Sequence, residues 1–294
     1  DAPEPARLER MAKHRGLSER EGRRIMAAQM PADEKRRRAD VIIRNDRTLD
    51  DLRTEAMAAL GELRSREPVT TMRIDMHLHT VGSWDCLSDP ERVLETALAR
   101  GFHRIAITDH NRVHVALRMA ERYPDQVIPG EEVKTAEGID VIGLYLSEEI
   151  PKGTPAEETI ERIREQGGVP YLPHPYAGGK GGGGRYAEQL GQLCDVIEVF
   201  NARLHDQAMN QRAEDLALRH GKLVGAGSDA HTIGELGNAW VELPAHANDP
   251  QALRAALRNA VTAGREASHL VHLGSTWAKV RKKLPGAPGG GWVR

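Results

Sequence analysis

From Met72 onward the chain repeats one pattern, a short apolar run followed by a longer stretch with apolar residues at helical spacing. The runs Arg104–Ile107, Gln126–Ile128, Asp140–Leu146, Val169–Leu172, Asp195–Phe200, Leu223–Ala226 and Val241–Leu243 have the length and β-branched content of strands. Between them, helices are expected over Val113–Arg122, Pro155–Gln166, Tyr186–Leu193 and Leu204–His220, with closing helices at Pro250–Ala263 and Trp277–Lys283. An earlier helix is expected to be capped by Ser88, to hold Pro90 in its first turn and to end at Gly101. Strands alternating with helices imply βαβ units and a parallel sheet. Seven or eight such units close into a barrel more readily than they stay open. The glycine tract Gly178–Gly184 and the tail Pro285–Gly291 read as loops.

The first strand ends in Arg73-Ile74-Asp75-Met76-His77-Leu78-His79-Thr80. Residues i and i+2 of a strand share a face, so His77 and His79 aim both imidazoles at one point. Ionisable residues recur at the same place after later strands: Asp109 and His110, Glu131 and Glu132, His174, then Asp229 and His231. In a (β/α) barrel the carboxyl ends of the strands share one face, where these residues would converge. A lone histidine after a strand is usually a satisfied polar residue, but five such strand ends are hard to explain by packing. Clustered carboxylates repel and are costly to bury without cations between them. Imidazole and carboxylate donors together suit Zn, Mn or Fe.

Residues 1–67 have another character, highly charged and poor in large apolar side chains. Ser18 reads as an N-cap with Glu21 in capping-box register, for a helix running through Gln29. A helix over Ala32–Arg38, a short strand at Val41–Ile43 and a helix from Leu49 to Leu63 should follow. The chain opens at Asp1 without an initiator methionine, as a processed or trimmed piece of a longer protein would. A formal charge of -2 argues against a general polyanion binder. Cys86 and Cys194 match no zinc or redox spacing, which favours a reducing, cytoplasmic setting. No apolar run approaches the ~20 residues that cross a bilayer, so no membrane partner is expected.

Two resemblances sharpen this reading. Arg24–Met30, Glu34-Lys35 and Ala39–Asn45 resemble the carboxyl-terminal end of dephospho-coenzyme A kinase. No G-x-x-x-x-G-K-[ST] phosphate loop occurs, so the ATP-holding part is missing. His77-x-His79, Thr108-Asp109-His110, Pro129-Gly130-Glu131-Glu132, Pro173-His174-Pro175 and Gly227-Ser228-Asp229-Ala230-His231 resemble the successive motifs of the PHP (polymerase and histidinol phosphatase) family, from about Arg73 to Pro244. The resemblance implies an α/β fold, a distorted (β/α)7 barrel over residues 71–294, preceded by the mainly helical segment 1–67. It also implies two or three divalent ions (Mn, Fe or Zn) on His77, His79, Asp85, His110, Glu132, His174, Asp229 and His231. The family's Gly-x-Glu register selects Glu132 over Glu131 as bridging residue. Where many members have a histidine in the next strand, this chain has Asp140, a replacement oxygen ligand or a lost one.

The expected activity is hydrolysis of a small phosphomonoester or nucleotide by a metal-bridged hydroxide. Glu132 and His110 would act in catalysis, with Asp109 orienting His110. Lys180, Arg185 and Arg203 are the cations placed to grip phosphate. Two other readings are a PHP-type nuclease acting on nucleic-acid ends and a non-catalytic module fused to a kinase. The even charge and the lack of an aromatic–basic stripe disfavour the nuclease, and the nearly complete ligand set disfavours the module.

Overall fold

The computed structural model describes residues 1–39, 41–66, 70–178, 181–268, 271–284 and 291–292. They fall into two compact units, Asp1–Val69 and Thr70–Arg294.

Among the described residues the first unit holds four helices: α1 Glu4–Arg15, α2 Glu19–Ala27, α3 Ala32–Arg38 and α4 Leu49–Arg66. Ser18 and Glu21 form the expected capping box at the start of α2. α1, which the sequence reading left out, ends on Gly16 in the left-handed conformation. Val41–Ile43 is not a strand. Among the described residues this unit offers it no sheet to join; the Asp1 ammonium donates to Ile43 O at 2.5 Å and Asn45 N donates to Asp1 O at 2.7 Å.

In the second unit the strands are β1 Thr71–Leu78, β2 Arg104–His110, β3 Val127–Lys134, β4 Asp140–Leu144, β5 Val169–Leu172, β6 Val196–Asn201, β7 Leu223–Gly227, β8 Ala239–Pro244 and β9 Val261–Gly264. The helices are α5 Pro90–Ala99, α6 His114–Arg122, α7 Ala156–Glu165, α8 Ala187–Leu193, α9 Gln207–His220, α10 Pro250–Leu257 and α11 Val271–Arg281. The strands form one sheet in the order β7-β6-β5-β4-β3-β2-β1-β8-β9. The sheet curls until β1 meets β7: Leu78 bridges Ala230, His79 N donates to Ala230 O at 3.0 Å, and Asp229 N donates to His77 O at 2.7 Å. β8 takes the other half of that edge, pairing with Thr71–Ile74. The result is a nearly closed barrel-like sheet with helices around it.

The sheet is mixed rather than parallel. β4 runs antiparallel to both β3 and β5, and β8 to both β1 and β9. The β3–β4 connection is a short turn through Gly138 at φ +78°, too short for the crossover that parallel neighbours need. The helix expected over Pro250–Ala263 stops at Leu257. Val261 and Thr262 open β9 against β8, their β-branched side chains suiting a strand. Asp89, not Ser88, caps α5, accepting from Glu91 N and Arg92 N at 3.1 Å each. Much of the glycine tract is described, including a bridge from Gly181 to Ile139, whereas Lys180 and 285–290 of the tail lie outside the described residues. Ile74, Met76, Ala106, Ile128, Ile142, Tyr171, Val196, Ala226 and Val241 pack into one core cluster, which Leu253 and Leu257 of α10 join. Among the described residues no helix is long and apolar enough to cross a membrane.

Candidate metal centre

His77 and His79, at the end of β1, are both buried, with their Nε2 atoms 3.2 Å apart. Each ring is fixed from behind. His77 Nδ1 is 3.0 Å from the Glu198 carboxylate and donates to it. Ser83 Oγ spends its proton on Asp109 Oδ1 at 2.7 Å, so it accepts from His79 Nδ1 at 3.0 Å. Both inward Nε2 atoms face the same small volume, an arrangement that needs an electrophile, a proton or a metal ion, between them.

Glu132 enters from β3. Its Oε2 lies 2.8 Å from His110 Nδ1, 3.4 Å from His79 Nε2 and 3.6 Å from His77 Nε2, and its Oε1 lies 3.1 Å from His174 Nε2. Asp229 Oδ1 is 3.2 Å from His79 Nε2 and 3.5 Å from His231 Nδ1. Asp85 Oδ1 faces His231 Nε2 at 3.4 Å and His110 Nε2 at 3.6 Å. Three overlapping groups have ligand atoms within 4.8 Å of one another: His77–His79–Asp229, His77–Glu132–His174 and His79–His110–His231.

The backbone is bent to make this fit. His174 and Asp229 sit at φ +29° and +51°, where residues with a side chain are strained. Gly227 passes so close to β1 that a Cβ there would stand 2.3 Å from the Cβ of His77.

The electrostatics are those of donors gathered for cations. Burial, with His231 and His110 alongside, pushes His79 down to about 3, so it is neutral. Burial alone would also lower His110, but Glu132 outweighs it and raises the imidazole to about 9. Burial works against ionising Glu132, yet His110 and His77 hold it well below the usual carboxylate range. Asp85 Oδ1, Glu132 Oε2 and His174 Nδ1 are buried without a hydrogen-bond partner. Buried carboxylate oxygens and imidazole nitrogens crowded together in this way are a donor set that fits divalent ions with nitrogen and oxygen ligands.

All eight expected ligands come together, although Asp85 lies outside the three tight groups. Glu131, next to Glu132, points away: its Oε2 accepts from Ile150 N at 2.9 Å, and burial pushes its carboxyl up to about 8. Asp109 does not orient the His110 ring. It accepts from Thr80 N at 2.7 Å and from both Ser83 N and Oγ, fixing the turn that in turn holds His79. Gly82 leaves room for it, since a Cβ there would fall 2.3 Å from Asp109 Oδ2. Asp140 pairs with Lys134 instead of joining the cluster. Arg203 reaches the centre, with Nη1 2.7 Å from His231 Nδ1 and Nε 3.2 Å from Glu235. Arg185 does not; it is exposed and donates to Tyr186 Oη at 2.9 Å. Lys180 lies outside the described residues.

Sequence reasoning missed Glu198, which also accepts from Tyr171 Oη, His174 N and Asn201 Nδ2 at 2.8–3.0 Å. The signal was a lone carboxylate within the apolar run Val196-Ile197-Glu198-Val199-Phe200. It sits inside a strand, whereas the motifs sit at strand ends.

A family model described as PHP-associated matches residues 208–262, and the dephospho-CoA kinase model matches residues 1–51. A Methanocaldococcus jannaschii protein, MJ1587, is 37% identical over 160 residues, covering 48% of this chain and 89% of that protein. The leading segment is 40% identical over 60 residues to dephospho-CoA kinase from Corynebacterium glutamicum, covering 20% of this chain and 30% of the kinase. Among solved structures, a two-domain Bacteroides vulgatus protein containing a predicted PHP-like metal-dependent phosphoesterase superposes with TM-score 0.53 at 19% identity, covering 71% of this chain and 70% of that one. The lesion-specific endonuclease PfuEndoQ from Pyrococcus furiosus superposes with TM-score 0.52 at 14% identity, covering 66% of this chain and 59% of that one. The likeness to these two solved structures is one of fold. The barrel unit is thus similar to the PHP family, and the amino-terminal end to dephospho-CoA kinase.

Proposed function

We propose that residues 70–294 are a metal-dependent phosphoesterase that hydrolyses a small phosphomonoester. The observation that supports this most is the position of Glu132, one carboxylate reached by His110, His174, His77 and His79 within 3.6 Å. When bound, two or three divalent ions of the Mn, Fe or Zn kind would supply an activated water at neutral pH and neutralise charge on the phosphoryl oxygens.

The chain's own residues do the rest. His77, His79 and Asp229 would hold one ion, Glu132 and His174 would help to hold a second, and His110 and His231 with Asp85 a third. Glu198 and Ser83 fix the imidazole tautomers that leave Nε2 free. Arg203, anchored on Glu235 beside His231, adds a fixed positive charge for the phosphoryl group.

The test is phosphate release from phosphomonoesters, nucleotides and short oligonucleotides with Mn present. Turnover of small monoesters is expected. Cleavage of oligonucleotides alone would establish the nuclease reading instead, and no turnover of any substrate would leave the non-catalytic module.

A further inference from the structure

Beside the candidate metal centre an aromatic ring, Trp84, is half exposed to solvent. Trp84 lies between Ser83, which is locked under Asp109, and Asp85, which faces His110 and His231. The indole is 54% exposed, and its ring centre is 6.1 Å from that of His110 with the planes 32° apart. An indole carries one of the largest apolar surfaces of any side chain, and a solvent-facing one at the rim of a polar site offers a ligand ring a surface to stack on. Lys279 of α11 reaches the same spot, its ammonium 4.5 Å from the indole centre and 3.9 Å from Asp85 Oδ2.

α11 is fastened to the ligand-bearing loops at three points, so this placement is built in. Arg203, beside His231, donates to Ser275 Oγ at 3.2 Å. Lys279 faces Asp85. Lys282 donates to Val81 O at 2.6 Å and to Ser83 O. The helix therefore presents an ammonium group next to both the candidate ligand Asp85 and an open aromatic surface.

We infer that Trp84 and Lys279 form the substrate seat, and that the substrate is a phosphomonoester whose alcohol carries a planar aromatic ring such as a nucleobase. This rests on the phosphoesterase reading of the centre. The ring stacks on the indole while the phosphoryl group lies over the ligand cluster. Lys279 exchanges its weak contact with the indole for a charge-assisted hydrogen bond to phosphate. Stacking is indifferent to which base is offered, so the seat selects a ring without selecting its identity.

The experiment compares adenosine 5′-monophosphate with ribose 5-phosphate, which differ only by the base. kcat/KM is measured on the Mn-loaded full chain, and calorimetric dissociation constants are measured for the non-hydrolysable phosphonate analogues of both. The base-bearing compound should be favoured roughly 5- to 150-fold in both readouts. Trp84→Leu should erase that preference and Trp84→Phe should keep most of it, with unfolding midpoints unchanged. Lys279→Gln should weaken both compounds alike and leave their ratio intact. Equal handling of the two compounds by the wild type, or a ratio that survives Trp84→Leu, overturns the seat. Indifference of both compounds to Lys279→Gln overturns the phosphate grip. Phosphate release from ribose 5-phosphate without base preference sinks this inference and leaves the phosphoesterase intact. Base-dependent binding without release from either compound does the reverse.

Discussion

The two units use the same charged residues in opposite ways. In the amino-terminal unit the charges stay in water: Arg23 bridges Glu4 at 2.6 Å and Glu19 at 2.9 Å with these side chains largely exposed, and α1 and α3 bury no residue. In the barrel, Asp75, His77, His79, Asp109, Glu131, Glu132 and Glu198 are almost completely buried. Exposed pairs are screened and contribute little, so they can be many and interchangeable. Buried ones must each have a partner, so their geometry carries chemistry. The number of ionisable residues therefore says little about where a site lies; their removal from water says much more.

The sharpest way to break this contrast is within β3. Glu132→Gln removes the carboxylate shared by four histidines and should abolish turnover, at least a hundredfold, in line with the ~2.7–4 kcal/mol lost with single electrostatic groups. Metal content should fall with it. Glu131→Gln should change the rate far less, because that carboxyl faces Ile150. Parallel kinetics and metal analysis on the two variants decide between them, and a dead Glu131 variant would place the bridging role one residue away.

A smaller effect is expected one layer out. Glu198→Gln trades the carboxylate that accepts from His77 for a weaker neutral acceptor. Metal affinity should fall roughly 10- to 100-fold, measured by competition with a chelator of known affinity. Unchanged affinity would mean that His77 is held by packing alone.

The smallest effects belong to the amino-terminal unit. A chain beginning at Thr70 should fold and hydrolyse at nearly the full rate, since every ligand group lies beyond that point. Arg23→Ala should cost less than about 1 kcal/mol of stability in denaturant unfolding, with metal content untouched. Loss of turnover in the shortened chain with metal retained would show that residues 1–69 contribute to the site.

The clustering of the candidate ligands was readable because each motif follows a strand and the barrel brings strand ends together. His77-x-His79, Asp229 and His231 needed only that rule, and the Gly-x-Glu register placed Glu132 toward the histidines. Pairing direction was not readable. β4 is apolar enough to pass for a parallel strand, and only the short turn through Gly138 shows that it is antiparallel. Positioning groups were harder still. Asp109 looked like the partner of its neighbour His110, yet its oxygens are used by Thr80 and Ser83, some 26–29 residues earlier. Glu198 bonds across 121 residues to His77, a distance that no local pattern spans. Arg185 and Arg203 looked equivalent as loop cations, and only the fold separates the exposed one from the one beside His231.

The proposed function requires that the buried imidazole and carboxylate cluster hold metal. Elemental analysis of the full chain, purified without exposure to any chelator, tests it most directly. Two or more transition-metal ions per chain are expected, falling in the Glu132→Gln variant and unchanged in Arg23→Ala. A wild-type protein that carries none, and binds none when Mn, Fe or Zn is supplied, would contradict it.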